Sequence, residues 1–250
     1  MPQVVHGDVR IHFSVQGEGP PLVLHHGAGS NRTTWIRHGY AKALRERYRL
    51  ILIDARGHGQ SDKPLAPEAH ALQLRVGDVT AVLDALEIGR AHFLGYSMGG
   101  WIGFGMAHLA PERLLSLALG GAHPFADPAF ARLEDDHASD GEAFIEAMEL
   151  VIGEAIDAET SELLRQNDLS AVMATLRQRV SLDEVVSRIG VPCWLFAGTR
   201  DRRYELIEQA GRAIRGAQLL SLLGLGHLET FAHADRVLPR LSAFLEASSA

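Results

Sequence analysis

Ser97 lies in Gly95-Tyr96-Ser97-Met98-Gly99-Gly100, with glycine two residues before it and two after. A hydroxyl serves as a nucleophile only where it is exposed and close to groups that activate it and stabilise developing negative charge. Ala91-His92-Phe93-Leu94 reads as a short buried strand ahead of it, and Trp101 to Leu109 as a helix that is apolar on most sides. Strand, tight turn and helix would lift Ser97 clear of a sheet, because a Cβ at 95 or 99 would crowd the turn. The serine would then stand at a helix N-terminus, where the dipole and unpaired N–H groups favour the anion formed in acyl transfer. The same short pattern also occurs where the serine is only a loop or cap residue, so partners elsewhere in the chain have to decide.

The elements that would position this turn alternate between strands and helices. Arg10 to Gln16 alternates polar and apolar like a half-buried strand, and Gly17-Glu18-Gly19-Pro20 after it predicts an antiparallel hairpin into the apolar run Pro21 to His26. Asn31 to Arg47 predicts one helix, with Trp35, Ile36, Tyr40, Ala43 and Leu44 roughly on one side. Trp35 could line an acyl pocket, although an aromatic near a helix start is more often core. Further strands are expected at Arg49 to Asp54, Leu114 to Gly120, Val191 to Gly198 and Gln218 to Leu222, with helices from about His70 to Leu86 and from Ala232 to Ala247. Such alternation implies right-handed βαβ units and an open, mostly parallel sheet. From Ala122 to Ile189 no buried strand is evident, and Phe144-Ile145, Met148, Val151-Ile152 and Leu163-Leu164 mark short amphipathic helices.

A chain of 250 residues, 46% hydrophobic, can bury a large core as one domain with an insertion. A net charge of −7 without a dense Lys/Arg cluster favours neither nucleic acid nor an anionic membrane surface as partner. Cys193 is the only cysteine, so the chain forms no internal disulfide; its apolar setting reads as a strand interior. Met1 to Asp8 has neither a basic lead nor an apolar run, so no signal peptide is expected and the location is expected to be cytoplasmic. Ala91 to Pro111 lacks charged side chains over about the length of a membrane span, but its glycines, histidines and serine point to a central strand and helix instead. No metal-ligand spacing is present, so neither a metal nor an organic cofactor is expected.

The segment around Ser97 resembles the nucleophile elbow of the α/β-hydrolase superfamily, and the resemblance extends over nearly the whole chain. His26-Gly27 is similar to the family's oxyanion-hole motif, which implies the backbone N–H groups of Ala28 and Met98 as the two donors. Asp54-Ala55-Arg56-Gly57-His58-Gly59-Gln60-Ser61 is similar to a family loop of chiefly structural role, so Arg56 and His58 are expected to satisfy loop carbonyls. The acidic triad member implied by the resemblance is Asp201, in the loop after Val191 to Gly198, with Arg202 and Arg203 offering it a surface ion pair. Among thirteen histidines the base implied is His227, in Gly224-Leu225-Gly226-His227, since the order Ser, Asp, His is the one this fold uses.

The resemblance thus implies an α/β-hydrolase fold: a mostly parallel eight-stranded sheet flanked by helices, with residues 1–121 and 190–250 as core domain and 122–189 as a helical lid. His26, Trp35, Trp101 and His123 are candidate pocket residues. Ser97 would attack a carbonyl, His227 would take its proton, Asp201 would orient the imidazole, and water would release the acyl group. A serine in the elbow argues against the family branches that use aspartate there. The expected activity is hydrolysis of a carboxylic ester, lactone or thioester of a small molecule, by a monomer or dimer. The alternatives are a carbon–carbon bond hydrolase of aromatic breakdown, or a small-ligand receptor of low turnover on the same fold.

Overall fold

A computed structural model describes residues 2–130, 133 and 140–249. Its eight strands are β1 (Gln3–His6), β2 (Val9–Gln16), β3 (Pro21–His25), β4 (Arg49–Ile53), β5 (Ala91–Tyr96), β6 (Leu114–Gly120), β7 (Cys193–Gly198) and β8 (Gln218–Leu222). They form one sheet in the order β1-β2-β4-β3-β5-β6-β7-β8, in which β2 pairs antiparallel with both β1 and β4 and all the other pairings are parallel. The central strands are mostly apolar because both faces are covered, with His25, His92 and Ser116 as buried exceptions. Ile51 and Ile53 pack with α3 (Leu72–Ala85), α4 (Met98–Leu109) and α8 (Tyr204–Ala213), whereas Leu50 and Leu52 pack on the other face. That second face is closed by α1 (Thr34–Arg37), α2 (Tyr40–Leu44) and α10 (Ala234–Ala247).

Between β6 and β7 lie α5 (Gly141–Ile152), α6 (Ala158–Arg165) and α7 (Leu169–Arg177), with a core of their own around Phe144, Met148, Leu164, Val172 and Met173. Asp140, Asp157 and Asp168 cap these three helices through side-chain oxygens that accept backbone N–H groups. Residues 131–132 and 134–139 of the expected 122–189 insertion lie outside the described residues. Among the described residues no helix is long and apolar enough to cross a membrane.

Three local expectations are corrected. The hairpin between β2 and β3 does not form: β2 pairs with β4, and β3 sits between β4 and β5. Gly17 and Gly19, both at positive φ, let the chain run tightly over the backbone of residues 45 to 48, where a Cβ on Gly17 would meet the Arg45 carbonyl oxygen at 2.1 Å. That crossing carries β3 past β4 to a place where both its faces are covered. The single helix expected from Asn31 to Arg47 is two short ones, because Gly39 at φ 83° breaks the turn. The last helix likewise starts one segment early: α9 (His227–Ala232) precedes α10, separated by His233. The half-exposed edge strand β1, joined to β2 through Gly7 and Asp8, carries too weak an alternation to stand out in the sequence.

Candidate active site

Ser97 falls between the end of β5 and the first residue of α4, at φ 54° and ψ −113°. A non-glycine residue in that region costs about 1–3 kcal/mol and persists only where the surroundings enforce it. The enforcement is visible. A Cβ on Gly95 would lie 2.3 Å from the Gly99 carbonyl oxygen, and one on Gly99 would lie 2.0 Å from the His25 carbonyl oxygen. The turn is pinned to the sheet by the Ser97 N–H, which donates to the Gly120 carbonyl at 2.8 Å.

The neighbouring strand ends converge on it. Gly27 follows β3 so closely that a Cβ there would sit 3.3 Å from Ser97 Cβ and 3.9 Å from its Oγ. Ala28 next to it and Met98 both line the cavity that contains Ser97. The Met98 N–H, first in α4, has no intrahelical acceptor, as at every helix start. Ala28 and Met98, the residues expected to supply the oxyanion donors, thus lie around the same cavity as the serine.

Asp201 and His227 meet as well. His227 Nδ1 and Asp201 Oδ2 are 2.6 Å apart, and both side chains are buried. An ionised carboxylate only accepts, so the proton of this bond belongs to Nδ1 and the lone pair to Nε2. Burial alone pushes the Asp201 carboxyl up, but the His227 ring and the Arg203 guanidinium overcome it and hold the group below the usual carboxylate range. The imidazole lies over Gly121, where a Cβ would meet His227 Cε1 at 2.7 Å. Gly121 follows the residue that accepts the Ser97 N–H, which sets the ring beside the elbow. His227 and Ser97 line the same cavity, of about 110 Å³, although among the described residues Ser97 Oγ makes no hydrogen bond. Catalytic contacts are often long before a substrate is bound.

His227 is the first residue of α9 rather than a loop residue, and the segment between α5 and α6 helps to hold it. Glu154, between α5 and α6, accepts from the His227 N–H at 3.1 Å and the Leu228 N–H at 2.7 Å, while Tyr96 Oη donates to the His227 carbonyl at 2.5 Å. Gly226 has to be a glycine, because a Cβ there would run into the Glu154 carboxylate. The arginines after Asp201 correct a second expectation. Arg203 is buried, not on the surface, with Nη1 3.8 Å from Asp201 and Nε 3.4 Å from Asp127, and it donates to the Val151 carbonyl. No periodicity signals this, since the acid loop has no repeating pattern.

Of the four pocket candidates, Trp101 alone lines the cavity. His26 is turned into the core, where its Nδ1 meets the Gly27 carbonyl at 2.8 Å and its Nε2 the Ala55 N–H at 3.0 Å. Trp35 packs edge-on to Tyr40 and Phe231 in the core beneath α1 and α2. His123 is fully buried 3.7 Å from Asp127 and stacks on Phe125. Arg56 does more than satisfy a carbonyl: it forms a buried ion pair with Asp78, with Nε at 2.6 Å, while His58 accepts from the Gly29 N–H at 3.1 Å. Cys193 is buried in β7, and burial pushes its thiol up to about 12.

Comparison with known proteins follows the same outline. Residues 20–141 match the family model described as alpha/beta hydrolase fold, a stretch that contains Ser97. A hydrolase of Pseudomonas aeruginosa superposes with a TM-score of 0.81 at 25% identity, covering 98% of this chain and 97% of that one. The chain has the α/β-hydrolase fold. An enol-lactonase of Burkholderia xenovorans shares the family fold with the same TM-score of 0.81, at 24% identity over 98% of this chain and all of that one. Among curated relatives, an uncharacterised Mycobacterium tuberculosis protein is 36% identical over 122 residues, 48% of this chain. The match spans only 34% of that relative's length. A putative carbamate hydrolase of Rhizobium rhizogenes is 28% identical over 248 residues, 91% of this chain and 92% of its own.

Proposed function

We propose that this chain is a serine hydrolase of small molecules that cleaves a carboxylic ester, or the related lactone or thioester, through an acyl-enzyme on Ser97. The observation that carries the reading is the 2.6 Å bond between Asp201 and His227, a histidine that shares a cavity with a serine held in a strained turn. Whole-chain similarity to a putative carbamate hydrolase and to a solved hydrolase supports acyl chemistry of this kind.

With Nδ1 tied to Asp201, His227 Nε2 accepts the Ser97 proton as Oγ bonds to the substrate carbonyl carbon. The carbonyl oxygen becomes an oxyanion between the Ala28 and Met98 N–H groups, and one such donor contributes roughly 3 kcal/mol. His227 then returns its proton to the departing alkoxide, which leaves as an alcohol, and the acyl group stays on Ser97. A water delivers a proton to Nε2 and its oxygen to the acyl carbon; collapse breaks the Oγ–carbon bond, returns the proton to Ser97 and frees the acid. Asp201, kept ionised, offsets the imidazolium charge in both halves. The helices α5 to α7 act as a lid in this reading, since Met148, Val151 and Ile152 of α5 line the cavity.

The test is labelling with a fluorophosphonate, read by peptide mapping, together with p-nitrophenyl acetate hydrolysis. The probe should modify Ser97, and Ser97→Ala should lower hydrolysis by at least roughly 10³-fold with an unchanged unfolding midpoint. Activity of Ser97→Ala within about tenfold of the parent contradicts the assignment.

A further inference from the structure

An ion taken out of water is costly unless it is paired, and most interior guanidinium groups here are. Arg32 pairs with Asp54, Arg56 with Asp78, and Arg203 with Asp127 and Asp201. Arg75 of α3 and Arg179, just after α7, differ. Among the described residues neither forms an ion pair with a carboxylate. Arg75 Nε donates to the His70 carbonyl at 2.6 Å and another arm donates to the Thr175 carbonyl. Arg179 Nη2 donates to the His123 carbonyl at 2.8 Å, and its Nε is buried with no acceptor. Both side chains line the cavity that holds Ser97. Both also stand over the Trp101 ring, with guanidinium carbons 5.3 and 5.7 Å from its centroid. Burial lowers Arg75 and Arg179 to about 9, which leaves both charged at neutral pH. A chain of net charge −7 thus holds two cations that form no ion pair among the described residues, in a cavity lined mostly by apolar side chains.

We infer that the substrate carries a carboxylate, bound between Arg75 and Arg179 against Trp101 while its ester or lactone carbonyl lies at Ser97. The inference rests on the serine-hydrolase reading and narrows it. Guanidinium groups suit a carboxylate because their N–H groups match its two oxygens in one plane, and the Arg179 Nε lacks only such an acceptor. A neutral ester would leave both charges uncompensated when the cavity closes on it. Spacing limits the size of the ligand. Trp101 follows Ser97 by one helical turn, its N–H donating to the Ser97 carbonyl at 3.0 Å, and such positions are roughly 5–6 Å apart at Cβ. The anion therefore sits a few carbon atoms from the reacting carbonyl, as in a half-ester of a short dicarboxylic acid, an acylated hydroxy acid, or a lactone bearing an acidic arm.

Binding can be read without turnover in Ser97→Ala. Calorimetry compares monomethyl glutarate with dimethyl glutarate, and O-butyryl glycolate with its methyl ester, which places the carboxylate on the acyl or on the alcohol side. At least one anionic member should bind about tenfold or more tighter than its neutral twin, as expected for charge-assisted hydrogen bonds. Arg179→Met in the same background should bring that ratio close to one, and Arg179→Gln serves if the methionine variant does not fold. Equal affinities within both pairs, or a preference that survives loss of the Arg179 charge, overturns the inference. Failure of the fluorophosphonate to label Ser97 in the parent protein is a separate result: it removes the hydrolase reading and leaves the carboxylate preference to stand or fall on calorimetry.

Discussion

Asp201→Asn isolates the bond on which the mechanism turns. The substitution keeps the size of the side chain and replaces the acceptor 2.6 Å from His227 Nδ1 by an amide that can present an N–H instead. The ring then lowers its energy by moving its proton to Nε2, and Nε2 can no longer accept from Ser97. Loss of the correct tautomer in this type of triad is worth on the order of 10⁴ in turnover, or about 5 kcal/mol of transition-state stabilisation. The fold should survive, because Arg203 retains Asp127, with Nε at 3.4 Å, and its bond to the Val151 carbonyl. The hydrogen bonds that Asp201 accepts from His227 and from the Arg203 N–H at 3.0 Å set a stability loss of about 1–3 kcal/mol. Turnover of p-nitrophenyl acetate and urea unfolding of the same preparation separate the two effects. A variant that turns over within about tenfold of the parent would show that His227 does not depend on Asp201 for its tautomer, and the derivation would fail.

Two further outcomes follow from the packing of the elbow strand's neighbours. Gly99→Ala sets a Cβ 2.0 Å from the His25 carbonyl oxygen, so β3 and α4 must separate; a loss of about 1–3 kcal/mol or more is expected, read as a lower urea midpoint at unchanged slope, and an unshifted midpoint would contradict the contact. His25 is enclosed between His26 and Phe93, and burial, with His26 adding to it, pushes its imidazole down to about 3. Unfolding frees it to take a proton below about pH 6.5, so its contribution to stability is present above that pH and is lost as pH falls toward about 3. Between about pH 7 and about pH 5 this one residue removes about 2 kcal/mol, and His25→Leu should flatten the fall by that amount; an identical pH dependence in the two proteins would refute the account.

The fold was legible where a single periodic pattern decides the element. β6 and β8 occupy the expected ranges because a run of apolar residues bounded by turn signals has few alternatives. The order of strands in the sheet was less legible. Nothing local in Gly17-Glu18-Gly19-Pro20 distinguishes a hairpin from a crossing, and the choice was made by residues 45 to 48, far along the chain, whose backbone the two glycines must pass. The break at Gly39 was available in the sequence but was outweighed by the apolar spacing on either side of it.

The site divides in the same way. Ser97, Gly95 and Gly99 are adjacent in the chain, so the strain they share is written in one short stretch, whereas Asp201 and His227 could be placed only through their order relative to a known family. The arginines were illegible for a deeper reason. Arg75 lies on the buried face of α3 with Leu72, Val76 and Val79 and close to the charged Asp78, and Arg179 follows the C-terminus of α7, where a basic residue is ordinary. What sets them apart is that no carboxylate among the described residues pairs with them, and an absence in three dimensions leaves no mark on a sequence. Trp101 is the one pocket candidate the fold retained, and it is the ring on which both guanidinium groups rest. The helix that presents the nucleophile therefore also supplies, one turn later, the surface that carries the cations. A fixed distance between reacting carbonyl and anion follows from that shared helix, so substrate length and substrate charge are selected by the same element.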